Sequence, residues 1–161
     1  MNEMLTLLSH SRQVVRKKSI GTLGSLAPFA FDDIFINLTK SLIQQMQQTA
    51  NDSDFEKLAT YLHCFATISK VSSDRMVSIM QQLIESTIQY CKLDDDDLRE
   101  QCLQSLEVFV QNSITVDECL NTIIDLSVEY LSYDPNYIDN SEDSEMSDED
   151  EEYFLVVEFN C

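Results

Sequence analysis

The chain is poor in residues that break regular structure: its 161 residues include two glycines, two prolines and no tryptophan. A strand-rich sandwich needs many Gly, Pro and Asn turns, so this scarcity excludes one. Gly21 and Gly24 form neither of the glycine-rich patterns that cradle phosphates, which excludes the common nucleotide-binding loops. No apolar run approaches about 18 residues, so the sequence predicts no membrane-spanning helix. The length predicts one domain of ordinary size.

Basic residues are also scarce, with 10 Lys and Arg against 29 Asp and Glu and a formal net charge of −19. A chain of this charge repels nucleic acid and anionic membranes, so we expect neither as a partner. The charge is uneven, because residues 1–93 carry a net +1 and residues 94–161 carry −20. A nearly neutral part is therefore joined to a very acidic part, and the two need separate explanations.

The sequence offers no set of residues for catalysis or metal binding. Only His10 and His63 are histidines, no GxSxG occurs, and no nucleophile stands in a motif with a histidine and an acid. We therefore expect no enzymatic activity, no small-molecule substrate, no metal and no cofactor. The five cysteines lack CxxC spacing, which indicates a reduced chain in the cytoplasm or nucleus. They are Cys64, Cys91, Cys102, Cys119 and Cys161.

Apolar residues recur at helical spacing from residue 4 to 131, which predicts an all-α protein. The helices also repeat, since Leu23, Phe65 and Leu106 are 42 and 41 residues apart. The same spacing separates Arg16 from Leu58 and Leu58 from Arg99. A period near 41 with two helices per period is typical of a HEAT-repeat α-solenoid. We predict about three two-helix units in a right-handed superhelix, followed by a disordered acidic C-terminal tail.

The predicted repeats occupy residues 1–133. The units span about 1–27, 31–71 and 73–112, and a lone helix follows at 115–132. The first unit lacks a full first helix, so we expect a piece of a longer solenoid or a shortened gene model.

Residues 134–161 form the predicted tail, which is strongly acidic and then abruptly apolar. Residues 139–152 hold nine Asp and Glu and no Lys or Arg, a composition that cannot collapse into a core. Tyr153–Cys161 is apolar and does not fit the repeat. We expect it to mark a truncated isoform or a gene model that reads into non-coding sequence.

Two stretches resemble one protein family closely. They are Leu93-Asp94-Asp95-Asp96-Asp97-Leu98-Arg99-Glu100-Gln101-Cys102 and Tyr130-Leu131-Ser132-Tyr133-Asp134-Pro135-Asn136-Tyr137. The chain is similar here to the cullin-associated, neddylation-dissociated proteins, also called the TATA-binding-protein-interacting family. The resemblance covers residues 2 to about 152, and the Tyr-Asp-Pro-Asn-Tyr segment leads into an acidic loop as it does in that family.

The resemblance implies a non-enzymatic scaffold in the ubiquitin-like conjugation pathway. Family members are long HEAT solenoids that wrap around a cullin and its RING subunit, block neddylation, and exchange substrate receptors during assembly of SCF complexes. This chain looks like part of the N-terminal arm. The alternative is a HEAT scaffold of another kind, such as a nuclear transport receptor or phosphatase scaffold fragment that binds a basic protein.

The second helices of successive solenoid units line the concave face, so their outward polar residues are the predicted partner contacts. These are Arg12, Lys17, Lys18, Ser25, His63, Thr67, Glu100, Gln104, Glu107 and Gln111. Five positions are assigned to the repeat itself, namely Arg16, Arg99, Leu23, Phe65 and Leu106. In stacked HEAT units the arginine tends to pair with an acidic residue of a neighbouring unit.

Ser147 precedes Asp148-Glu149-Asp150 and is the candidate phosphorylation site of the tail. An acid-directed kinase would add a charge of about −1.5 to −2 there. We expect incubation with such a kinase to give a phosphopeptide that contains Ser147, and Ser147→Ala to remove it. Phosphopeptide mapping that finds Ser147 unmodified would contradict the assignment.

Overall fold

A computed structural model describes the backbone of residues 2–112 and 117–131, and the side chains of 3–112 and 119–130. This part of the chain folds as an all-α helical-repeat solenoid, as the periodicity predicts. The predicted tail and Ser147 lie outside the described residues, and the division into units stays a prediction. Six α-helices occur in the described part: α1 (Asn2–Leu8), α2 (Gln13–Leu26), α3 (Asp32–Asn51), α4 (Phe55–Tyr90), α5 (Asp96–Asn112) and α6 (Asp117–Leu131).

Helix α4 lies at the centre of the packing and contacts α1, α2, α3, α5 and α6. Its first part, residues 55–71, packs between α2 and α5. We call α2, residues 55–71 and α5 the second-helix row. The repeat positions Leu23, Phe65 and Leu106 lie in the core of this row, with 3%, 0% and 1% of their surface exposed. Each helix of the row therefore buries its apolar stripe against its neighbours.

The predicted unit boundary at residues 71–73 coincides with a sharp bend in α4. Ser72 has φ −148° and ψ 39°, so α4 consists of two helical segments, residues 55–71 and 73–90, that meet at a kink. The kink contains no glycine or proline and lies at the Ser72-Ser73 pair. The connection between α2 and α3 is different, because it contains Pro28 and forms a short 3-10 helix at Ala27–Phe29.

Helix α3 ends without a glycine. Ser53 has φ 56°, in the left-handed region that favours glycine. This turn lets the Ser53 amide donate to the Ala50 carbonyl at 3.2 Å and the Asp54 amide to the Thr49 carbonyl at 3.1 Å. The Asp54 carboxylate then accepts from the Lys57 amide at 3.2 Å and caps α4. The whole connection thus takes only three residues.

The two glycines of α2 have different surroundings. A methyl group at Gly24 would lie 2.5 Å from Cγ2 of Thr67 on α4, whereas one at Gly21 meets nothing within 4 Å. Gly24 therefore lets α2 and α4 approach closely. The β-branched Thr67 gives little room to adjust, because its hydroxyl donates to the His63 carbonyl at 2.9 Å.

Alanine substitutions at these two glycines should have opposite effects. Gly21→Ala should raise the free energy of unfolding by up to about 1 kcal/mol, because alanine is the better helix former. Gly24→Ala should lower the free energy of unfolding by about 1–2 kcal/mol, because the clash of the new methyl group with Thr67 costs more than the helix propensity of alanine contributes. Urea unfolding followed by circular dichroism measures both.

Thr67→Ser provides the matched control, since it removes Cγ2 and keeps the hydroxyl. Added to Gly24→Ala, it should recover most of the lost stability. Equal effects of the two alanines, or no recovery with serine, would contradict the close approach of α2 and α4.

Candidate partner-binding surface

A groove of about 470 Å³ crosses the second-helix row near the N-terminal ends of its three helices. We call it the row groove. Helix α2 contributes Lys17, α4 contributes Glu56 and His63, and the start of α5 contributes Asp95 and Asp97. One surface therefore combines residues that lie about 40 positions apart in the sequence. The other lining residues are Gln13, Arg16, Ile20, Phe55, Ala59, Thr60, Leu98 and Gln101.

Arg16 forms the base of the groove and is buried. Its guanidinium donates to the carbonyls of His10 at 2.8 Å and Ser11 at 3.1 Å, which belong to the turn between α1 and α2. It also forms an ion pair with Glu56 on α4. The planar guanidinium holds its N–H donors apart in a fixed geometry, which suits acceptors on separate parts of the chain better than the single nitrogen of a lysine. Arg16 thus connects a turn, a helix start and the groove.

Arg99 occupies the equivalent repeat position on α5 but has different partners. It pairs with Asp96 of its own helix and donates to the Leu93 carbonyl at 3.3 Å. Its guanidinium also lies over the ring of Tyr130 on α6, 5.0 Å from the centroid. The acidic partner of Arg99 is therefore local, and the contact with the next helix is aromatic.

Lys17 gives one side of the row groove its positive charge, and His63 lies on the same side. His63 is exposed but partly desolvated. Burial is the main cause that lowers its pKa, and the positive charges of Lys70 and Lys17 lower it further. The imidazole is therefore predominantly neutral at pH 7. Across the groove, Glu56, Asp95 and Asp97 are acidic. The row groove presents both signs of charge, with its cations Arg16 and Lys17 on α2.

The other predicted contacts on α2 and α4 lie close to this groove in sequence but do not line it. Arg12, Lys18 and Ser25 are exposed. The Ser25 hydroxyl donates to the Gly21 carbonyl at 2.9 Å. Thr67 is half-buried, because its methyl group packs on α2 at Gly24.

The predicted contacts on α5 form an exposed polar stripe. Gln104 donates to Glu100 at 2.8 Å, and Gln111 donates to Glu107 at 3.1 Å. Glu107 and Gln111 also border a second, mainly apolar cavity of about 520 Å³ between α5 and α6. Its other lining residues are Leu103, Leu106, Val110, Ile123, Ser127 and Tyr130. The row groove and this stripe are separate parts of the surface.

Arg75 is a structural residue that no pattern in the sequence indicated. It donates to the Ala27 carbonyl at 2.8 Å and pairs with Asp32 at 2.9 Å. Its guanidinium lies 4.1 Å from the centroid of the Phe35 ring. No repeat spacing pointed to this position, because Arg75 has no arginine counterpart 41 residues away in either direction.

Within the described side chains, no group of three or more His, Cys, Asp and Glu residues is arranged to hold a metal ion. None of the described helices combines the length and the apolar character that a membrane crossing needs.

These stacked helices define the chain as a helical-repeat solenoid. No protein-family model matches it. It is 30% identical over 141 residues to Cullin-associated NEDD8-dissociated protein 2 of Mus musculus, across 87% of this chain and 11% of that protein. It is 30% identical over 165 residues to Cullin-associated NEDD8-dissociated protein 1 of Drosophila melanogaster, across 99% of this chain and 13% of that protein. It is 28% identical over 147 residues to Cullin-associated NEDD8-dissociated protein 1 of Arabidopsis thaliana, across 89% of this chain and 12% of that protein.

The chain belongs to the cullin-associated NEDD8-dissociated family, which confirms the resemblance seen in the sequence. It spans about an eighth or less of the length of these curated relatives.

The environment of His63 predicts a pH-dependent stability. Its pKa in the folded chain is below the ordinary 6.5, so the unfolded chain binds this proton more readily. The contribution of the neutral His63 imidazole to the free energy of unfolding is complete above about pH 6.5. It is lost as the pH falls through the pKa of His63 in the folded chain. Lys17→Met should raise the pKa of His63 by removing a nearby positive charge.

An NMR titration of the His63 ring measures this pKa directly, and His63→Gln assigns the signal. Lys40→Met, which removes an exposed lysine from α3, is the matched control and should leave the titration unchanged. A His63 pKa at or above 6.5 in the unmodified chain would contradict the description of this side of the groove.

Proposed function

We propose that the chain is a non-enzymatic scaffold that binds the core of a cullin–RING ubiquitin ligase, meaning the cullin and its RING subunit. Binding there would affect neddylation of the cullin, assembly of SCF complexes and exchange of their substrate receptors. The names of the relatives support association with cullins and dissociation from NEDD8. The function would be carried out in the cytoplasm or nucleus, where these ligases act.

The row groove is the observation that carries this proposal. It joins three consecutive helices of the second-helix row into one surface, so a partner must match several helices at once. Its cationic and acidic sides require complementary charges on the partner, which favours a protein surface over a small molecule. Of the predicted contacts, Lys17 and His63 would meet the partner inside the groove, and the exposed Arg12 and Lys18 would meet it outside the groove.

The contacts on α5 would extend this surface away from the groove. Glu100, Gln104, Glu107 and Gln111 are exposed, and they form two side-chain hydrogen bonds, Gln104 to Glu100 and Gln111 to Glu107. Ser25 and Thr67 would contribute less, because their hydroxyl groups already donate within their own helices.

Charge reversal in the row groove tests the proposal. Lys17→Glu should weaken binding of a purified cullin–RING complex by about tenfold or more, because the new carboxylate would face partner groups that complement a positive charge. Lys40→Glu makes the same change on an exposed site of α3 outside the groove and should leave binding within about twofold. Biolayer interferometry with the full chain measures both affinities.

A neddylation assay supplies the second readout. The full chain should slow attachment of NEDD8 to the cullin, and Lys17→Glu should relieve this inhibition. A chain that does not bind the cullin–RING complex would overturn the proposal, as would equal losses with Lys17→Glu and Lys40→Glu.

The net charge of −19 favours the alternative, a HEAT scaffold for a basic protein. Binding of histone-like or nuclear-localisation peptides without binding of the cullin complex would support that alternative.

A further inference from the structure

The mainly apolar cavity of about 520 Å³ between α5 and α6 is a second candidate binding site. Val110 of α5 and Ile123 of α6 line it and are half-buried. Leu120 and Ile124 are 40% and 50% exposed and lie one turn before the lining residues Ile123 and Ser127, so they extend the apolar surface along α6. The volume lies within the range of about 300–1,000 Å³ that is typical of ligand pockets, so the cavity has room for more than one side chain.

The sequence that follows α6 contains a segment of matching chemistry. Tyr153–Val157 is a run of five apolar residues, the longest such run after α6, and glutamates precede and follow it. Aromatic and β-branched runs of this kind promote aggregation when water surrounds them, so burial in an apolar cavity stabilises the chain. The cavity also has polar lining residues, namely Glu107, Gln111 and Ser127. An apolar segment with charged ends therefore fits an apolar cavity with a polar border.

The position of α6 brings this segment within reach of the cavity. Tyr130 lines the cavity, and α6 ends at the next residue, Leu131. Ile123 lies eight residues before that end, which is about 12 Å along the helix axis. The 21 residues 132–152 can span up to about 70 Å when fully extended, so their length does not limit the contact. The covalent connection also makes the encounter intramolecular, which requires less affinity than the binding of a free peptide.

Charge distinguishes this cavity from the row groove as the destination of the tail. The nine Asp and Glu of residues 139–152 would be attracted to Lys17 on α2, whereas Glu107 at the α5–α6 cavity repels them. Contact with the cavity must therefore come from apolar burial and act against like-charge repulsion. Added salt screens that repulsion and should preserve or strengthen the contact, whereas it would weaken an attraction to Lys17.

We propose that Tyr153–Val157 occupies the cavity between α5 and α6 of its own chain. The contact would cover apolar surface of α6 and would also make Glu107 and Gln111 less accessible to a partner. The inference does not depend on cullin binding, because the residues that line this cavity are different from those that line the row groove.

Tryptophan fluorescence of the full chain tests the proposal, because the chain has no tryptophan of its own. Tyr153→Trp and Phe154→Trp each place one reporter in the segment, and neighbouring side chains of an extended segment point to opposite sides. At least one of these chains should emit at a shorter wavelength, and be quenched less by acrylamide, than the same chain in urea. Met146→Trp places the reporter among the acidic residues and should show neither change.

Variants of the cavity wall locate the contact. Val110→Glu on α5 and Ile123→Glu on α6 each place a carboxylate in the apolar lining and should abolish the wavelength shift. Val77→Glu is the matched control, because it makes the same change at a 46% exposed position of α4 outside the cavity, and it should leave the shift intact. Circular dichroism checks that each variant is folded. Leu155→Glu should abolish the shift without changing any helix.

Dilution and salt separate the proposal from its alternatives. The shift should persist when the protein is diluted and when salt is added. Loss on dilution would identify a second copy of the chain as the occupant, and loss with salt or with Lys17→Glu would identify attraction to α2. Either result would overturn the proposal, as would two reporters that show no shift, or a shift that survives both changes of the cavity wall.

Discussion

The solenoid depends on the burial of apolar helix faces that a single helix pair cannot cover. Helix α4 contacts five other helices, and the large side chains Tyr61, Phe65 and Phe109 are at most 1% exposed. Repeats of this kind are stable only as a stack, so a change in one helix is felt by the helices on both sides. The close approach of α2 and α4 at Gly24 is one such point.

Arginines satisfy backbone carbonyls in the short connections between the helices. These carbonyls lie in crowded positions where few donors can reach them. Arg16 serves the turn before α2, Arg75 serves the 3-10 helix, and Arg99 serves the loop before α5. Each also contacts a different helix or an acidic side chain. At Arg16 this arrangement also places an ion pair in the row groove, so packing and surface charge are coupled.

Helical periodicity predicted the fold well because the periodic residues are the apolar ones that form the core. Leu23, Phe65 and Leu106, which the repeat spacing predicted as equivalent positions, are all buried. It placed a unit boundary at residues 71–73, where the structure has the kink at Ser72, but it could not show that the two helical segments meet without a loop between them. Periodicity also gives the direction of a side chain but not the distance to its neighbour. For that reason it could not show that Thr67 packs against Gly24.

The kink at Ser72 has a mechanical consequence. The two helical segments of α4, residues 55–71 and 73–90, meet there without a loop between them. The backbone dihedral angles of Ser72 therefore set the angle between these segments. Because α5 packs on α4, a change in this angle would also disturb the packing of α5.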